Sequence, residues 1–398
     1  METTTKPGPN HGPRILLLAF CATMSMVMGV TSVMPMIPML AREFAVSHTH
    51  ASLVLTVFTF PGILFALPAG ILADKFGRKV VLVPSFFLFG IAGTACAFAP
   101  DFPTLLFFRT LQGIGAIALG VLNTTIIADV WPGKELPRMI GYNMTVLSLC
   151  TAIYPAVGGA LAYLNWHYAF FLPLLALPAG VVAIFTPLAR PSKTPAIREY
   201  LGNLGHAFQN RRMLALLCMT MLTFMLLYGP IITCFPVLAD TNFHANSAMI
   251  GMAMIFSSLG TAAISSRLGF LSKRFSSPVI LFCSQGLYIT TLLLLPQASG
   301  FYWALPPLLL YGMGQGLNIP TVQSLLLQAA PQELRASIMA INGMLLRLGQ
   351  SLAPVSFSVV MASFGITWGF YAGIALAALL TLLVAFFLPA KTAKGTTP

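Results

Sequence analysis

Two cations stand where cations are costly. Arg109 and Arg347 lie inside long apolar runs of a 398-residue chain, and an arginine at bilayer depth costs at least about 2.5 kcal/mol, which makes each a candidate functional residue. Gln112 follows Arg109 by three positions and Asn123 by fourteen. At roughly 100° per residue both return to within about 40° of one helical face. That face is expected to line a wet cavity, although Arg109 is near enough to the end of its run for the head group to snorkel outward. Tyr311, Gln315 and Asn318 share a face through spacings of four and three, Gln350 lies three residues beyond Arg347, and Tyr228 is a further lining candidate. Each amide is equally able to tie helices together, so the expectation of contact with a small-molecule substrate attaches to the group.

The acids are placed differently. Glu2, Glu43, Asp74, Asp101, Asp129, Glu135, Glu199, Asp240 and Glu333 all fall in tails, in loops or at the ends of apolar runs. Embedded arginines without embedded acids imply a cavity of positive potential, suited to an anionic or zwitterionic amphiphile. No His-Glu-x-x-His, no Gly-x-Ser-x-Gly and no paired acids occur within the runs, so metal or acyl-transfer chemistry lacks its residues. The six cysteines stand singly, without Cys-x-x-Cys spacing. Neither enzyme activity, nor a metal, nor a cofactor is expected.

These residues sit on helices that cross a membrane. Hydrophobic residues make up 57% of the chain and charged residues 8%, against roughly 25% charge in soluble domains, and mean hydropathy is +0.87. A crossing needs about 20 apolar residues, and lipid offers no partner to an unpaired peptide group, so the crossings must be helical. The spacing predicts an all-α polytopic protein with twelve spans, at 15–40, 52–70, 80–98, 105–127, 139–163, 169–188, 213–238, 249–266, 279–295, 303–326, 338–363 and 368–388. Pro35 and Pro38 predict a kinked end to the first span.

Charge sets orientation. The formal net charge of +12 is spread over many loops and forms no single basic patch, which argues against nucleic acid. Lysines and arginines crowd the termini and the even-numbered connections, with Arg42 alone on the other side. By the positive-inside rule both termini are cytoplasmic. Tails at 1–13 and 390–398 are expected to flank six-helix bundles at 14–188 and 212–389, joined by a polar linker at 189–211. An internal repeat supports the division: at an offset of 199, Gly70, Leu72, Lys75 and Phe76 match Gly269, Leu271, Arg274 and Phe275, and Asn143 and Pro155 match Asn342 and Pro354. After a small insertion Gln112-Gly113 meets Gln315-Gly316.

Between the second and third spans stands Gly70-Ile-Leu-Ala-Asp74-Lys-Phe-Gly77-Arg78-Lys79, a block dense enough in charge to require water. It resembles the signature loop of the major facilitator superfamily. Arg109-x-x-Gln112-Gly113 is similar to that family's fourth-helix pattern, and Gly141, Cys150, Tyr154, Pro155, Gly158 and Gly159 resemble a degraded antiporter motif in which Cys150 and Tyr154 replace two glycines. The chain is therefore identified as a member of the superfamily, similar to its twelve-helix drug:proton antiporter branch. The resemblance implies two bundles with a substrate site between them near the midplane, and alternating access. It also implies Asp74 near the start of the eleventh span, Arg78 near Asp129, and gating roles for Gly70, Gly77, Pro155, Gly158 and Gly159. Tyr154 is expected to hinder the close helix approach that the motif glycines permit. The expected function is export of small drug-like or anionic metabolites by a monomer in the bacterial inner membrane, with protons as candidate coupling ion. Uptake of an organic anion and a non-transporting sensor or scaffold are the alternatives.

Overall fold

The computed structural model describes residues 12–131, 135–188, 210–330 and 335–388. Most of the expected tails and linker therefore lies outside the described residues. The helices are α1 (Gly12–Thr31), α2 (Ile37–Glu43), α3 (His48–Thr59), α4 (Pro61–Phe76), α5 (Arg78–Ala95), α6 (Phe102–Val130), α7 (Leu136–Leu164), α8 (Trp166–Ala169) and α9 (Ala176–Phe185). They continue as α10 (Arg211–Leu226), α11 (Phe235–Phe243), α12 (Ser247–Ser265), α13 (Leu268–Arg274), α14 (Ser277–Leu294), α15 (Leu305–Ala329), α16 (Arg335–Phe364) and α17 (Ile366–Phe387). Eleven described helices are long and apolar enough to cross a membrane. The tenth expected span, α15, has 25 residues but is diluted by prolines, glycines, Gln315 and Asn318.

Local sequence explains the ends. Ser47, Asp101, Asn165 and Asn210 each accept a hydrogen bond from a main-chain N–H of the helix they precede, which satisfies donors with no partner inside the helix. The prolines break the first span as expected: α1 stops at Thr31, a 3₁₀ turn covers Met34–Met36, and α2 resumes at Ile37. The second span, formed by α3 and α4, differs from expectation because α4 runs through Asp74 and Lys75 to Phe76. The charged block is thus mostly helix. Gly77 alone, with φ 100° and ψ 149°, turns the chain into α5, a conformation open almost solely to glycine.

By packing, the described residues form two compact units. The first takes in the described residues up to 188 together with Ala239–Ile255; the second takes in 210–238 and the described residues from Phe256 onward. The stretch 239–255, expected in the C-terminal bundle, thus packs with the first unit. Within that unit Val33, Leu40, Val54, Cys96, Leu105 and Trp166 belong to one buried cluster that seals the end where α2 lies. Large apolar side chains also cover the outside, among them Phe98, Phe185, Tyr302, Trp303 and Phe386. Lipid is the solvent for such a surface.

Candidate functional site

In the first unit α6 carries Arg109 into a sealed pocket. The residue is 0% exposed. Its Nε donates to the Val54 carbonyl at 3.2 Å, Nη2 to the Gly29 carbonyl at 2.7 Å and Nη1 to Gln112 Oε1 at 2.6 Å. Phe58 presents its ring face, with the guanidinium carbon 4.4 Å from the ring centroid, a favourable arrangement for a desolvated cation. The fork of donors therefore ties α6 to α1 and α3. This differs from the wet, ligand-facing Arg109 and Gln112 that helical spacing suggested. A shared face shows which residues align, and a neighbouring helix here occupies the space in front of it.

Asn123 also turns to protein. Its amide donates to Thr23 Oγ1 at 2.9 Å, and Thr23 donates in turn to Asn143 Oδ1 at 2.8 Å, so one hydroxyl joins α6, α1 and α7. In the second unit Asn318 donates to Thr223 Oγ1 at 3.2 Å and Gln315 to the Tyr311 hydroxyl at 2.9 Å. Tyr311, Gln315 and Asn318 are all buried. Asn123 and Asn318 thus act as ties between helices, one of the two roles their chemistry allowed, while the Gln315–Tyr311 bond stays within α15. Thr23 and Thr223 had no sequence signal of their own beyond standing 200 residues apart, near the repeat offset.

Arg347 is set differently. It is mostly buried but keeps some accessible surface, and among the described residues no carboxylate lies within ion-pair reach of it. The Tyr228 phenol stands beside it within electrostatic range, and Gln350, one turn along α16, is likewise partly exposed. Tyr228 belongs to an eight-residue π-helical stretch, Leu227–Cys234, between α10 and α11. Pro230 offers no N–H, so the ordinary ladder cannot pass through it. Phe235 N–H reaches back to the Pro230 carbonyl and the Thr233 hydroxyl donates to the Tyr228 carbonyl at 2.7 Å. Such re-satisfaction is how proline is accommodated in lipid, and π segments recur at functional sites. A Cβ at Gly229 would lie 2.4 Å from the Phe357 ring and one at Gly349 2.4 Å from the Met221 carbonyl of α10, so α16 packs closely on both α10 and this stretch.

At another place in the first unit the charged block forms a network. Arg78 pairs with Asp74 across the Gly77 turn, and its Nε donates to Asp129 Oδ2 at 3.0 Å. Arg78 is 7% exposed. The block was expected to sit in water, yet two carboxylates compensate the cation well enough for it to be buried. Gly70 meets one methyl at an ordinary 3.7 Å, so its lack of a side chain is not needed for packing here.

The α7 motif shows the closest fits. A Cβ on Gly158 would lie 2.1 Å from the Ser32 carbonyl, one on Gly159 2.2 Å from the Ser247 carbonyl, and one on Gly251 2.1 Å from the carbonyl of Pro155. Backbone meets backbone here despite Tyr154, which was expected to block the approach. Gly141, the first glycine of the motif, faces nothing within 4 Å. Gly113 has the tightness that Gly70 lacks, its added Cβ falling 2.2 Å from the Phe58 carbonyl.

Helices of this number and length, with an apolar outer surface, define a polytopic integral membrane protein. The chain belongs to the Major Facilitator Superfamily, whose family model matches residues 19–354 and again 231–398; it is a transporter of that family. The bacillibactin exporter of Bacillus subtilis is 24% identical over 359 residues, 85% of this chain and 87% of that protein. The multi-drug resistance efflux pump PmrA of Streptococcus pneumoniae is 26% identical over 370 residues, covering 86% and 88%. A solved D-xylose–proton symporter matches with a TM-score of 0.79 and 16% identity, covering 97% of this chain and 100% of that one; at that identity the likeness concerns the fold.

Proposed function

We propose that this transporter works by alternating access and exports small amphiphilic organic molecules of anionic or zwitterionic character. We place it in a bacterial inner membrane as a monomer with both termini in the cytoplasm, and we assign it no catalysis. Two relatives named as an exporter and an efflux pump, each matching over more than four-fifths of both chains, support the direction. The single observation that carries the substrate class is Arg347: a cation in the hydrophobic part of the chain, partly accessible and without an acidic partner among the described residues. Tyr228 and Gln350 complete the binding group. Asn318 ties α15 to α10, which leads into the Tyr228 stretch, while Arg109 and Asn123 tie helices of the first unit; Gln112, Tyr311 and Gln315 form their side-chain hydrogen bonds within their own helices.

In this reading the Asp74–Arg78–Asp129 network, with Gly77 as its turn, keeps the cytoplasmic end shut in one state of the cycle. Pro155, Gly158 and Gly159 set how α7 packs. The driving force follows from charge. An anion leaving an inside-negative cell gains about 2.3 kcal/mol per charge per 100 mV, so proton exchange is not required.

The test is flux of an anionic fluorescent amphiphile from proteoliposomes, with membrane potential and pH gradient collapsed separately. Loss of potential should slow export more than loss of the pH gradient. The opposite result would favour proton antiport through Asp74 or Asp129, accumulation by whole cells would favour uptake, and absence of any flux would favour a sensor or scaffold.

A further inference from the structure

The charged block has a second copy, and that copy keeps cations without acids. At the repeat offset of 199, Lys273 stands where the first copy has Asp74 and Ser277 where it has Arg78, while Lys75 and Phe76 persist in kind as Arg274 and Phe275. The pair that buries Arg78 therefore has no counterpart there. Arg267, Lys273 and Arg274 enter no ion pair among the described residues, and no acid occurs in the sequence between Asp240 and Glu333. The packing differs as well. Ala73 in the first copy is 0% exposed, whereas none of the seven residues of α13 is buried. Apolar side chains are in the open too: Phe270 is 65% exposed and Phe275, just beyond the helix, 46%.

So short a helix does not persist in water by itself, where even about 12–15 residues are marginal. With no residue buried, α13 gains little from the protein either. It joins α12 and α14, both long and apolar enough to cross the membrane, which sets it at the bilayer surface. There an amphipathic segment buries apolar side chains at the boundary between headgroups and acyl chains. Steps of three and four residues put Arg267, Phe270 and Arg274 on one face. Two guanidinium groups thus flank a phenyl ring, with Lys273 beside them. A guanidinium matches phosphate oxygens with paired donors, and each Arg or Lys near the surface adds about fivefold to the attraction of anionic lipid. A free phosphate ion would use the cations and leave the ring in water; a lipid engages both.

We propose that Arg267, Lys273 and Arg274, with Phe270 among them, form a docking site for the headgroup of an anionic phospholipid. The probe is a short-chain phosphatidylglycerol, set against phosphatidylcholine of the same chains, with binding to the full chain in detergent counted by native mass spectrometry. Arg267→Gln, Lys273→Gln and Arg274→Gln together should weaken phosphatidylglycerol by about tenfold or more and leave phosphatidylcholine within about twofold. Arg14→Gln, Arg211→Gln and Arg212→Gln together remove as much exposed charge elsewhere and should leave both lipids within about twofold. A loss below about tenfold at the site, or an equal loss in the second variant or for phosphatidylcholine, would overturn the proposal. Phe270→Ser should weaken phosphatidylglycerol by about threefold or more; an unchanged affinity would mark a site for free phosphate and overturn the lipid assignment. A separate readout needs no variant. Amide hydrogen exchange over 268–274, measured on unaltered protein in phosphatidylcholine vesicles, should slow by about twofold or more when about a third of the lipid is replaced by phosphatidylglycerol. Exchange that ignores the replacement would count equally against the site.

Discussion

Arg109 and Arg347 share a residue type and depth in the sequence, and their surroundings give them different work. The guanidinium of Arg109 spans two carbonyls and an amide, which the point charge of a lysine cannot do at once. Arg109→Lys should therefore lower thermal stability in detergent by about 1–3 kcal/mol while leaving ligand affinity near wild type, as read by calorimetry and binding on one sample. Arg347→Gln should do the reverse, weakening an anionic ligand about tenfold with little change in melting. Arg78 offers a third contrast, since two carboxylates face one cation. Arg78→Gln leaves two acids together and should cost about 3–5 kcal/mol. Asp74→Asn leaves a balanced pair and should slow transport while the protein still assembles; a destabilisation matching that of Arg78→Gln would refute this ordering.

At the level of elements, most of the spans and the broken end of α1 were legible, because hydrophobic length and proline act locally; the pairing of Arg78 with Asp129, 51 positions apart, was implied by the family resemblance alone. Which polar faces meet a neighbouring helix was not legible. Tyr311, Gln315 and Asn318 share a face whether that face sees ligand or protein, and the Thr23 and Thr223 hydroxyls that answer the asparagines come from helices far away in sequence. Tightness at glycine was equally hidden: Gly70 and Gly158 both belong to motifs, but Gly158 alone meets a backbone carbonyl. Gly158→Ala should force α7 and the end of α1 apart and lower the melting temperature. Gly141→Ala, with nothing within 4 Å, should be neutral or stabilising by up to about 1 kcal/mol from helix propensity. Gly77→Ala should cost about 1–3 kcal/mol through its backbone angles.

For the molecule as a whole, the repeat is physical as well as textual. Gly312 follows Arg109 by 203 residues and Ser257 follows Val54 by the same number. In the first unit the arginine donates to the Val54 carbonyl; in the second a Cβ on the glycine would lie 1.8 Å from the Ser257 carbonyl. The same backbone position is thus gripped by a long side chain in one copy and touched directly in the other. With that cation confined to the first copy and bound there, Arg347 stands in the second as a membrane-embedded cation with no ion pair among the described residues. Arg347→Glu should accordingly shift preference from an anionic dye toward a cationic one of the same skeleton. Equal flux of both dyes through wild type and variant would remove Arg347 from substrate selection.

The π stretch at Leu227–Cys234 has one more effect. Each residue of an α-helix advances the chain by about 1.5 Å and 100°, and a π turn holds a residue that an α turn has no room for. Deleting Pro230 would remove both the extra residue and the missing donor and let the segment rewind as ordinary helix, swinging everything beyond it by about 100°, more than a quarter turn. Asp240, whose two carboxylate oxygens accept from Arg42 Nη1 at 2.7 and 2.6 Å, would then point away from that cation although neither had been touched. Chain length within eight residues, and not any acid or base, is what aims that carboxylate.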